Sequence, residues 1–300
     1  MNHVVTNVKQ ALVALLKSEK EIDDDFSSMM LSFIKEKEDD TLPFAELCIL
    51  HYEAFAGDFD EEIFKVAAAI ELLVLCFDMI DDIQDGDSSH SWATYPALGI
   101  NSALAMLIVS TKIIRESSFT HSNLAGRIME KHALQSIDGQ QRDLLNLAVD
   151  EFSYLQMIER KSGSLTAMSC LIGAALATGK SIAPVERYGR CIGVIHQLKN
   201  DISDLKCWGK KNDILNRKFT LPVIFLLALE NEISRQIKQF YEKENSISLD
   251  RDKVQHALTE SGAIRYALFF IHDYQRKAEQ TLNRVPLTYE LKTKLLSIMK

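Results

Sequence analysis

The sequence predicts an all-α protein, and three observations favour this fold class. Apolar residues make up 47% of the 300 positions, which is enough to bury a large core. The 12 glycines and 5 prolines are too few for a sandwich, a barrel or a series of strand–helix–strand units. Apolar residues also recur every three or four positions along most of the chain, which is the period of a helix.

The predicted helices are separated by short segments rich in turn-forming residues. These segments are Gly57-Asp58, GDSSHS at 86–91, TGKSIAP at 178–184 and CWGKKND at 207–213. In chain order, the predicted helices span residues 3–20, 25–37, 43–56, 60–85, 96–116, 122–148, 150–178, 185–206, 219–244, 251–259, 262–283 and 287–299. The stretches 60–85 and 165–178 are apolar on almost every side, which predicts central helices surrounded by the others.

We predict one domain that spans residues 1–300. The length alone would allow two domains. However, no linker rich in proline, glycine or serine, no low-complexity tract and no internal repeat marks a boundary.

The charge of the chain argues against a nucleic-acid partner. The formal net charge is −8, and acidic residues cluster in EIDDD at 21–25 and EKEDD at 36–40. A surface that binds phosphate backbones needs clustered lysine and arginine instead. These acidic runs are typical of solvated faces or loops.

Cysteine usage and the N-terminal segment predict a cytoplasmic protein. The five cysteines are odd in number and form no CxxC pair, which favours free, mostly buried thiols in a reducing compartment: Cys48, Cys76, Cys170, Cys191 and Cys207. The apolar run ALVALL near the N-terminus is short for a signal peptide. No stretch approaches the roughly 18 uninterrupted apolar residues of a transmembrane helix.

Four aspartates lie together at the end of an apolar helix, in FDMIDDIQDGD at 77–87. Asp78, Asp81, Asp82 and Asp85 share one face at helical spacing. Each like-charge neighbour costs about 0.2–0.5 kcal/mol, and the helix dipole already places negative charge at this end. A cation is the natural compensation for this charge. Ligands that are all oxygen favour Mg²⁺ shared with a substrate phosphate.

A second polar cluster ends another helix, in GVIHQLKNDISDL at 193–205. Gln197, Asn200, Asp201 and Asp204 occupy neighbouring helical positions. Either cluster alone could be a solvated helix end. Two of them at the ends of long apolar helices favour a site that holds a diphosphate with several Mg²⁺ ions and directs a hydrocarbon tail into an apolar shaft.

The order of the motifs resembles the trans-isoprenyl diphosphate synthase family. DDIQD resembles its first aspartate-rich motif, DDxxD, and HQLKNDISD at 196–204 is similar to the second. GQQRDL at 139–144 resembles GQxxDL, and EFSYLQMIERKSGSL at 151–165 resembles EEYxxMxxxKTGxL. DILNRKFTLPVI at 213–224 and SGAIRYA at 261–267 complete the series. The resemblance implies a transferase with the isoprenoid synthase fold, a helical bundle around a central apolar cavity, and a homodimer.

The resemblance also implies the roles of individual residues. Up to three Mg²⁺ ions would be bound by Asp81, Asp85, Asn200, Asp201 and Asp204, with Asp82 as a further catalytic carboxylate. An allylic isoprenyl diphosphate would be held by Lys161 and Lys218, with Gln197 and with Lys210 or Lys211 nearby. Phe77 lies one helical turn before Asp81. It would either close the shaft for a C10 or C15 chain or simply pack in the core.

The acceptor side departs from the family pattern. Synthases that use isopentenyl diphosphate hold it with a GKRxRP-like segment, and here KEDDTLP at 37–43 keeps Pro43 but lacks those cations. An arginine pair after the first motif is replaced by GDSSHSWATYP at 86–96. This pattern is similar to the pheromone-modifying branch of the family, which acts in quorum sensing and transfers the isoprenoid to a tryptophan of a precursor peptide. Trp92 and Tyr95, as exposed loop aromatics, are candidate acceptor contacts.

Other functions remain compatible with this pattern. The chain could be a short-chain isoprenyl diphosphate synthase or a terpene cyclase, since both ionise the same kind of substrate. It could also be a catalytically silent partner subunit, although the intact DDIQD argues against this. A di-metal carboxylate protein would carry Glu-x-x-His pairs, and neither cluster has one.

Overall fold

The computed structural model describes residues 2–37, 41–209, 212–242 and 248–299, and the regular structure in these ranges is helical throughout. The all-α prediction is therefore confirmed. The helices are α1 (Asn2–Ser18), α2 (Asp24–Glu36), α3 (Pro43–Phe55), α4 (Ile63–Asp85), α5 (Ser91–Thr94), α6 (Pro96–Glu116), α7 (Ser122–Leu144), α8 (Glu151–Ile158), α9 (Ser164–Thr178), α10 (Ala183–Lys206), α11 (Leu221–Ala228), α12 (Glu232–Glu242), α13 (Arg251–Glu260), α14 (Ala263–Leu282) and α15 (Tyr289–Ile298), with a π-helical turn (Glu159–Gly163) between α8 and α9.

The prediction of one helix over 219–244 is wrong. Two helices, α11 and α12, occupy this range because Glu230 takes a left-handed backbone conformation with φ of 53°. The Asn231 side chain then accepts a hydrogen bond of 2.8 Å from the backbone N–H of Ser234, which starts a new helix. The helix predicted over 122–148 likewise ends at Leu144, shortly before Asn146 with φ of 48°.

The two helices predicted to be central are the core of the bundle. α4 packs against α1, α3 and α6, while α9 packs against α3, α7 and α10. In α9, 13 of the 15 residues are buried, which fits its nearly uniform apolar sequence. Gly173 allows this packing, since a Cβ atom there would lie 2.1 Å from the carbonyl oxygen of Cys48 on α3.

A second, smaller group of buried apolar residues lies beyond the end of α10. It joins Leu205 to residues from the 212–220 segment and from α11–α14, including Ile214, Val223 and Leu258. This packing fixes the segment that carries Lys218 next to the end of α10.

All five cysteines are free thiols, as predicted. Cys48, Cys76 and Cys170 are buried and Cys191 is half-buried. Cys207, which follows the last residue of α10, is exposed.

One helix in the described ranges, Pro96–Glu116, is long and apolar enough to cross a membrane by length and composition alone. In the structure this helix, α6, packs against α4 and α7 on one side. Its other side carries exposed apolar residues. A bundle helix with one free apolar face meets the same criteria as a membrane span.

Candidate active site

The end of α4 presents the first aspartate cluster. Gly86 adopts the left-handed conformation (φ 68°) that ends the helix, and the N–H of Asp87 then donates to the carbonyl of Asp82 at 2.9 Å. Asp81 and Asp85, one turn apart, face a cavity of about 140 Å³. Asp82 lines neither this cavity nor the apolar one beside it.

The end of α10 reaches the same cavity from the other side. Gln197, Asp201 and Asp204 line it opposite the α4 aspartates, while Asn200 lines the adjoining apolar cavity. The structure therefore brings the two sequence clusters together at one place. Six carboxylates and two lysines line this chamber, which we call the acidic chamber: Asp81, Asp85, Asp143, Asp201, Asp204, Asp213, Lys161 and Lys218.

Asp143 links the two lysines across the acidic chamber. Its Oδ2 atom lies 3.0 Å from Lys161 Nζ and 3.3 Å from Lys218 Nζ. Lys161 Nζ also lies 3.2 Å from Asp81 Oδ1, and Lys218 Nζ lies 3.2 Å from Asp85 Oδ1. Each lysine is thus held between Asp143 and one aspartate of the first cluster.

Lys161 points into the chamber because it lies in the π-helical turn, a local irregularity that often marks functional sites. α7 supports this turn closely. The Ser136 hydroxyl donates to the Lys161 carbonyl at 2.7 Å. A Cβ atom on Gly139 would lie only 2.3 Å from the Lys161 nitrogen. The glycine of GQQRDL is therefore required by the contact between α7 and the turn.

Lys218 is placed by a fixed loop after α10. The Asn212 side chain donates to the carbonyl of Cys207 at 3.0 Å and accepts from the N–H of Ile214 at 3.1 Å. The N–H of Lys218 donates to the carbonyl of Asp213 at 2.8 Å. The Tyr241 hydroxyl donates to the Lys218 carbonyl at 3.0 Å. The backbone of Lys218 is thus held on both sides.

The acidic chamber carries more negative than positive charge. Burial raises the pKa of Asp85, and Asp81 raises it further. Burial also raises the pKa of Asp213, whose Oδ2 atom is buried without a hydrogen-bond partner. Burial alone would lower the pKa of Lys161, but Asp81 and Asp143 reverse this effect and raise it. With six carboxylates and two lysines in its lining, the chamber holds more negative charge than its own lysines balance.

Asp201 is held inside the chamber by neutral groups. It is 4% exposed, and its carboxylate accepts hydrogen bonds from the Tyr154 hydroxyl and, at 2.9 Å, from the Gln197 amide. The Gln197 oxygen in turn accepts from the Ser162 hydroxyl at 2.6 Å. Burial raises the pKa of Asp201 to about 6. Gln197 therefore orients a chamber carboxylate from its own helix.

A larger and more apolar cavity of about 370 Å³ adjoins the acidic chamber, with Asp81, Lys161, Gln197 and Asp204 lining both. Phe77, Ile80, Ile137, Leu144 and Leu165 supply its apolar wall. We call this space the apolar cavity. Phe77, for which the sequence left both a place in the shaft and core packing open, lies in this wall, and its effect on chain length stays a prediction.

The donor set of the acidic chamber fits hard divalent cations. The side chains that could serve as ligands offer oxygen atoms, and neither histidine nor cysteine lines the chamber in the described residues, a donor set that suits Mg²⁺. In the described part of the chain, no three carboxylate, histidine or cysteine side chains are already grouped closely enough to hold a metal ion. Lys210 and Lys211, predicted to lie near the diphosphate, and Glu38, Asp39 and Asp40 of the altered acceptor segment are outside the described residues.

The expectation that Trp92 is an exposed loop aromatic is wrong, because its side chain is fully buried. It packs edge-on against Phe33, with ring centroids 5.9 Å apart. Its indole N–H donates to Asp82 Oδ2 at 3.0 Å. Tyr95, by contrast, is 63% exposed.

Asp143 and Tyr154 are chamber residues that the sequence patterns do not predict. Both lie in segments that carry the family resemblance, GQQRDL and EFSYLQMIERKSGSL, so a signal was present. Their spacing alone could not place them, since each reaches the chamber from a different helix.

Comparisons with known proteins agree with this geometry. A family model described as polyprenyl synthetase matches residues 45–260. The chain is 34% identical over 277 residues to a tryptophan prenyltransferase ComQ from Bacillus subtilis subsp. natto (strain BEST195), covering 92% of this chain and 86% of that protein. A decaprenyl diphosphate synthase from Rhodobacter capsulatus has a TM-score of 0.85 at 19% identity, over 99% of this chain and 94% of that one. A polyprenyl synthase from Caulobacter crescentus CB15, solved with calcium and isoprenyl diphosphate, has a TM-score of 0.82 at 18% identity, over 99% and 93%.

Proposed function

We propose that this chain, which belongs to the polyprenyl synthetase family and is a prenyltransferase, transfers a C10 or C15 isoprenyl group from its allylic diphosphate to a tryptophan in a pheromone precursor peptide. The observation that carries the proposal is the pair of lysines held by Asp143 in the acidic chamber, of which Lys161 also lines the adjoining apolar cavity. This arrangement suits a ligand with an anionic head and a hydrocarbon tail.

The head group would lie in the acidic chamber. Asp81, Asp85, Asn200, Asp201 and Asp204 would hold up to three Mg²⁺ ions, and their excess negative charge supports this assignment. When bound, the ions would supply electrostatic stabilisation of the departing diphosphate. Lys161 and Lys218 would add two further positive charges to the same leaving group.

The reaction would begin as the bond between C1 of the isoprenyl chain and the diphosphate oxygen breaks. The hydrocarbon would lie in the apolar cavity, where Phe77 presents a ring that tolerates positive charge. The indole C3 of the acceptor tryptophan would then form a bond to C1. One proton must leave the acceptor, and the released diphosphate would be the base that takes it.

The lack of cations on the acceptor side favours an uncharged acceptor. Residues 41–43 and 86–95 contain neither lysine nor arginine. Lys37 precedes the first of these segments, and its Nζ atom lies 2.9 Å from Asp78 Oδ2. A second diphosphate would therefore meet carboxylates rather than cations.

The proposal includes a homodimer. A patch of exposed apolar side chains covers the outer faces of α6 and α7, which pack side by side. Its members are Leu98 (48% exposed), Leu104 (54%), Ile108 (65%) and Leu134 (68%). Exposed apolar side chains grouped on two neighbouring helices are typical of an interface. Free thiols in the core support a reducing location such as the cytoplasm.

Incubation with defined substrates tests the proposed function. The purified protein is mixed with Mg²⁺, geranyl or farnesyl diphosphate, and the peptide encoded by a short reading frame beside its gene. We expect mass spectrometry to show the added isoprenyl mass on the tryptophan, and chelation of divalent ions to abolish it. Labelled isopentenyl diphosphate in a parallel reaction should give no elongated product; elongation without peptide modification would contradict the proposal.

The matched control is the same peptide with phenylalanine in place of its tryptophan. It should remain unmodified, because the phenyl ring lacks the nucleophilic C3 carbon of indole. If a variant that carries both Asp81→Ala and Asp85→Ala still releases isoprenoid, the acidic chamber is not the catalytic site.

A further inference from the structure

The connection from the end of α7 to the start of α8 exposes a dense group of apolar side chains. Five large apolar residues in this stretch are between 37% and 70% exposed: Leu144, Leu145, Leu147, Val149 and Phe152. Single exposed apolar side chains are normal on a soluble protein, whereas a group of them is typical of a binding surface. We call residues 144–152 the apolar segment.

The backbone of the apolar segment is held in place although its apolar side chains are exposed. The N–H of Leu147 donates to the carbonyl of Arg142 at 3.1 Å. Ala148 is buried, and the Asp150 side chain accepts from the N–H of Ser153 at 2.8 Å, which starts α8. The segment is therefore a preformed surface, so a ligand would not have to order it on binding.

One end of the apolar segment belongs to the wall of the apolar cavity. Leu144 lines this cavity and is also 37% exposed, so the cavity wall reaches the surface where α7 ends. Lys161, which would contact the diphosphate next to the reacting carbon of the isoprenyl chain, lines the same cavity. A ligand that lies along the apolar segment thus reaches the place where the proposed reaction occurs.

The other end of the apolar segment borders a groove of about 480 Å³. Val149, Phe219 and Ile224 lie in its wall. Phe219 also lines the acidic chamber, and Tyr241, a further residue of the groove, donates its hydroxyl to the Lys218 carbonyl at 3.0 Å. The groove and the apolar segment are therefore continuous with the candidate active site at both ends.

Charge and length restrict what this surface can bind. Residues 144–149, LLNLAV, carry no charged side chain, and the groove is lined by Asp150, Glu151 and Glu242 with Lys238. This charge distribution complements a neutral or basic apolar ligand and opposes an anionic one. Five residue steps separate Leu144 from Val149, which is at most about 18 Å of chain. An extended peptide of about six residues would cover that distance.

We propose that the apolar segment and the adjoining groove bind the acceptor peptide, through an extended apolar stretch beside its tryptophan that carries no carboxylate. The bound peptide runs from the groove along residues 144–149 to the apolar cavity, where the indole meets the isoprenyl chain. This inference rests on the proposed function, because it takes the acceptor to be a peptide. The second copy of the chain is assigned to the α6–α7 patch instead.

Binding of the labelled peptide tests this docking surface without any catalytic step. The probe is the peptide encoded by the short reading frame beside the gene, labelled with fluorescein at its N-terminus, and anisotropy gives its Kd for the full chain. Leu147→Gln and Phe152→Gln combined should raise the Kd by about tenfold or more, since two apolar contacts are lost. The melting temperature should stay near that of the unaltered chain, because both side chains are more than half exposed.

Val13→Gln is the matched control, because Val13 is 40% exposed on α1 and lines neither the apolar cavity nor the groove. It should leave the Kd of the peptide unchanged. A Kd of the combined variant equal to that of Val13→Gln would overturn the proposal. A peptide with two glutamates placed before its tryptophan should bind more weakly than one with two lysines there, and the reverse order would also overturn the proposal.

Two further measurements separate the peptide from other occupants of the surface. They are sedimentation of the combined variant and its binding to phosphatidylcholine vesicles. Loss of the dimer or of vesicle binding, with the Kd of the peptide unchanged, would assign the surface to a second copy or to a membrane and overturn the proposal. If the unaltered chain modifies the peptide and the combined variant does so with the same KM, only the docking surface is wrong. If the unaltered chain neither binds nor modifies the peptide, the proposed function fails with it.

Discussion

Replacement of Asp143 by asparagine is the sharpest test of the acidic chamber. The side chain keeps its shape but loses the charge that holds Lys161 and Lys218 in place. Each lysine retains one aspartate of the first cluster as a partner. Both ammonium groups should therefore move toward α4 and away from the space between the helix ends, where the diphosphate would lie.

The size of the effect follows from the two hydrogen bonds that the Asp143 carboxylate accepts. Both are charge-assisted, at 3.0 and 3.3 Å, and each such bond is worth about 1.5–3 kcal/mol. Misplacement of donors that stabilise a developing negative charge typically slows a reaction by about 10²-fold or more. We therefore expect Asp143→Asn to slow release of diphosphate from geranyl diphosphate by about 10²-fold, with KM changed much less.

The assay is the initial rate of diphosphate release at saturating Mg²⁺. Asp138→Asn is a matched control, because Asp138 lies on the same helix and also joins two cations, Arg142 and Arg160, but outside the cavities. Its side chain is 45% exposed, so solvent screens both ion pairs and their loss should change stability little. If Asp143→Asn reacts as fast as Asp138→Asn while Lys161→Ala is slow, the bridging role of Asp143 is refuted.

Individual residues of the structure give four further predictions. Gly139→Ala should push the π-helical turn away from α7 and lower both kcat and melting temperature, with a cost of about 1–3 kcal/mol in unfolding free energy; an unchanged kcat would contradict the support of Lys161 by this contact. Asp81→Asn should raise the Mg²⁺ concentration needed for the half-maximal rate of diphosphate release, measured by titration. An unchanged midpoint would show that Asp81 is not a metal ligand. Ile108→Glu should give a folded monomer in sedimentation experiments, whereas a persistent dimer would exclude the α6–α7 patch as the interface. Burial raises the pKa of Glu71, a residue of α4, to about 7, so between pH 4.5 and 7 the native state holds a proton that the unfolded state has released. The unfolding free energy therefore falls as the pH rises from about 4.5 to 7. In denaturation curves, Glu71→Gln should make this fall smaller by about 2 kcal/mol.

The sequence allowed the two acidic helix ends and the central helices to be predicted because both are local patterns. The helical period shows which aspartates share a face of a helix. A segment that is apolar on every side predicts a helix at the centre of the bundle. α6 spans Pro96–Glu116 as predicted, since Pro96 begins it and a polar segment follows it. These features depend on neighbours within four residues along the chain.

Other features of the structure depend on tertiary contacts, which the helical period of the sequence does not encode. The break between α11 and α12 has no proline or glycine, and Glu230 takes its left-handed conformation where the two helices change direction. Trp92 lies in a polar segment that reads as an exposed loop, but Asp82 and Phe33 provide it with a buried pocket. In both cases tertiary packing overrides the local pattern.

The position of Asp143 shows why motifs alone do not define this site. Its role depends on three separate structures: the end of α7, the π-helical turn that presents Lys161, and the fixed loop that presents Lys218. Each motif predicts only its own local geometry. The lysines acquire a common partner because Gly139 permits α7 to contact the turn and because Asn212 and Tyr241 hold the loop. The anion site is therefore a property of the packing between these elements, and variants of the supporting residues should affect it without changing a single charge.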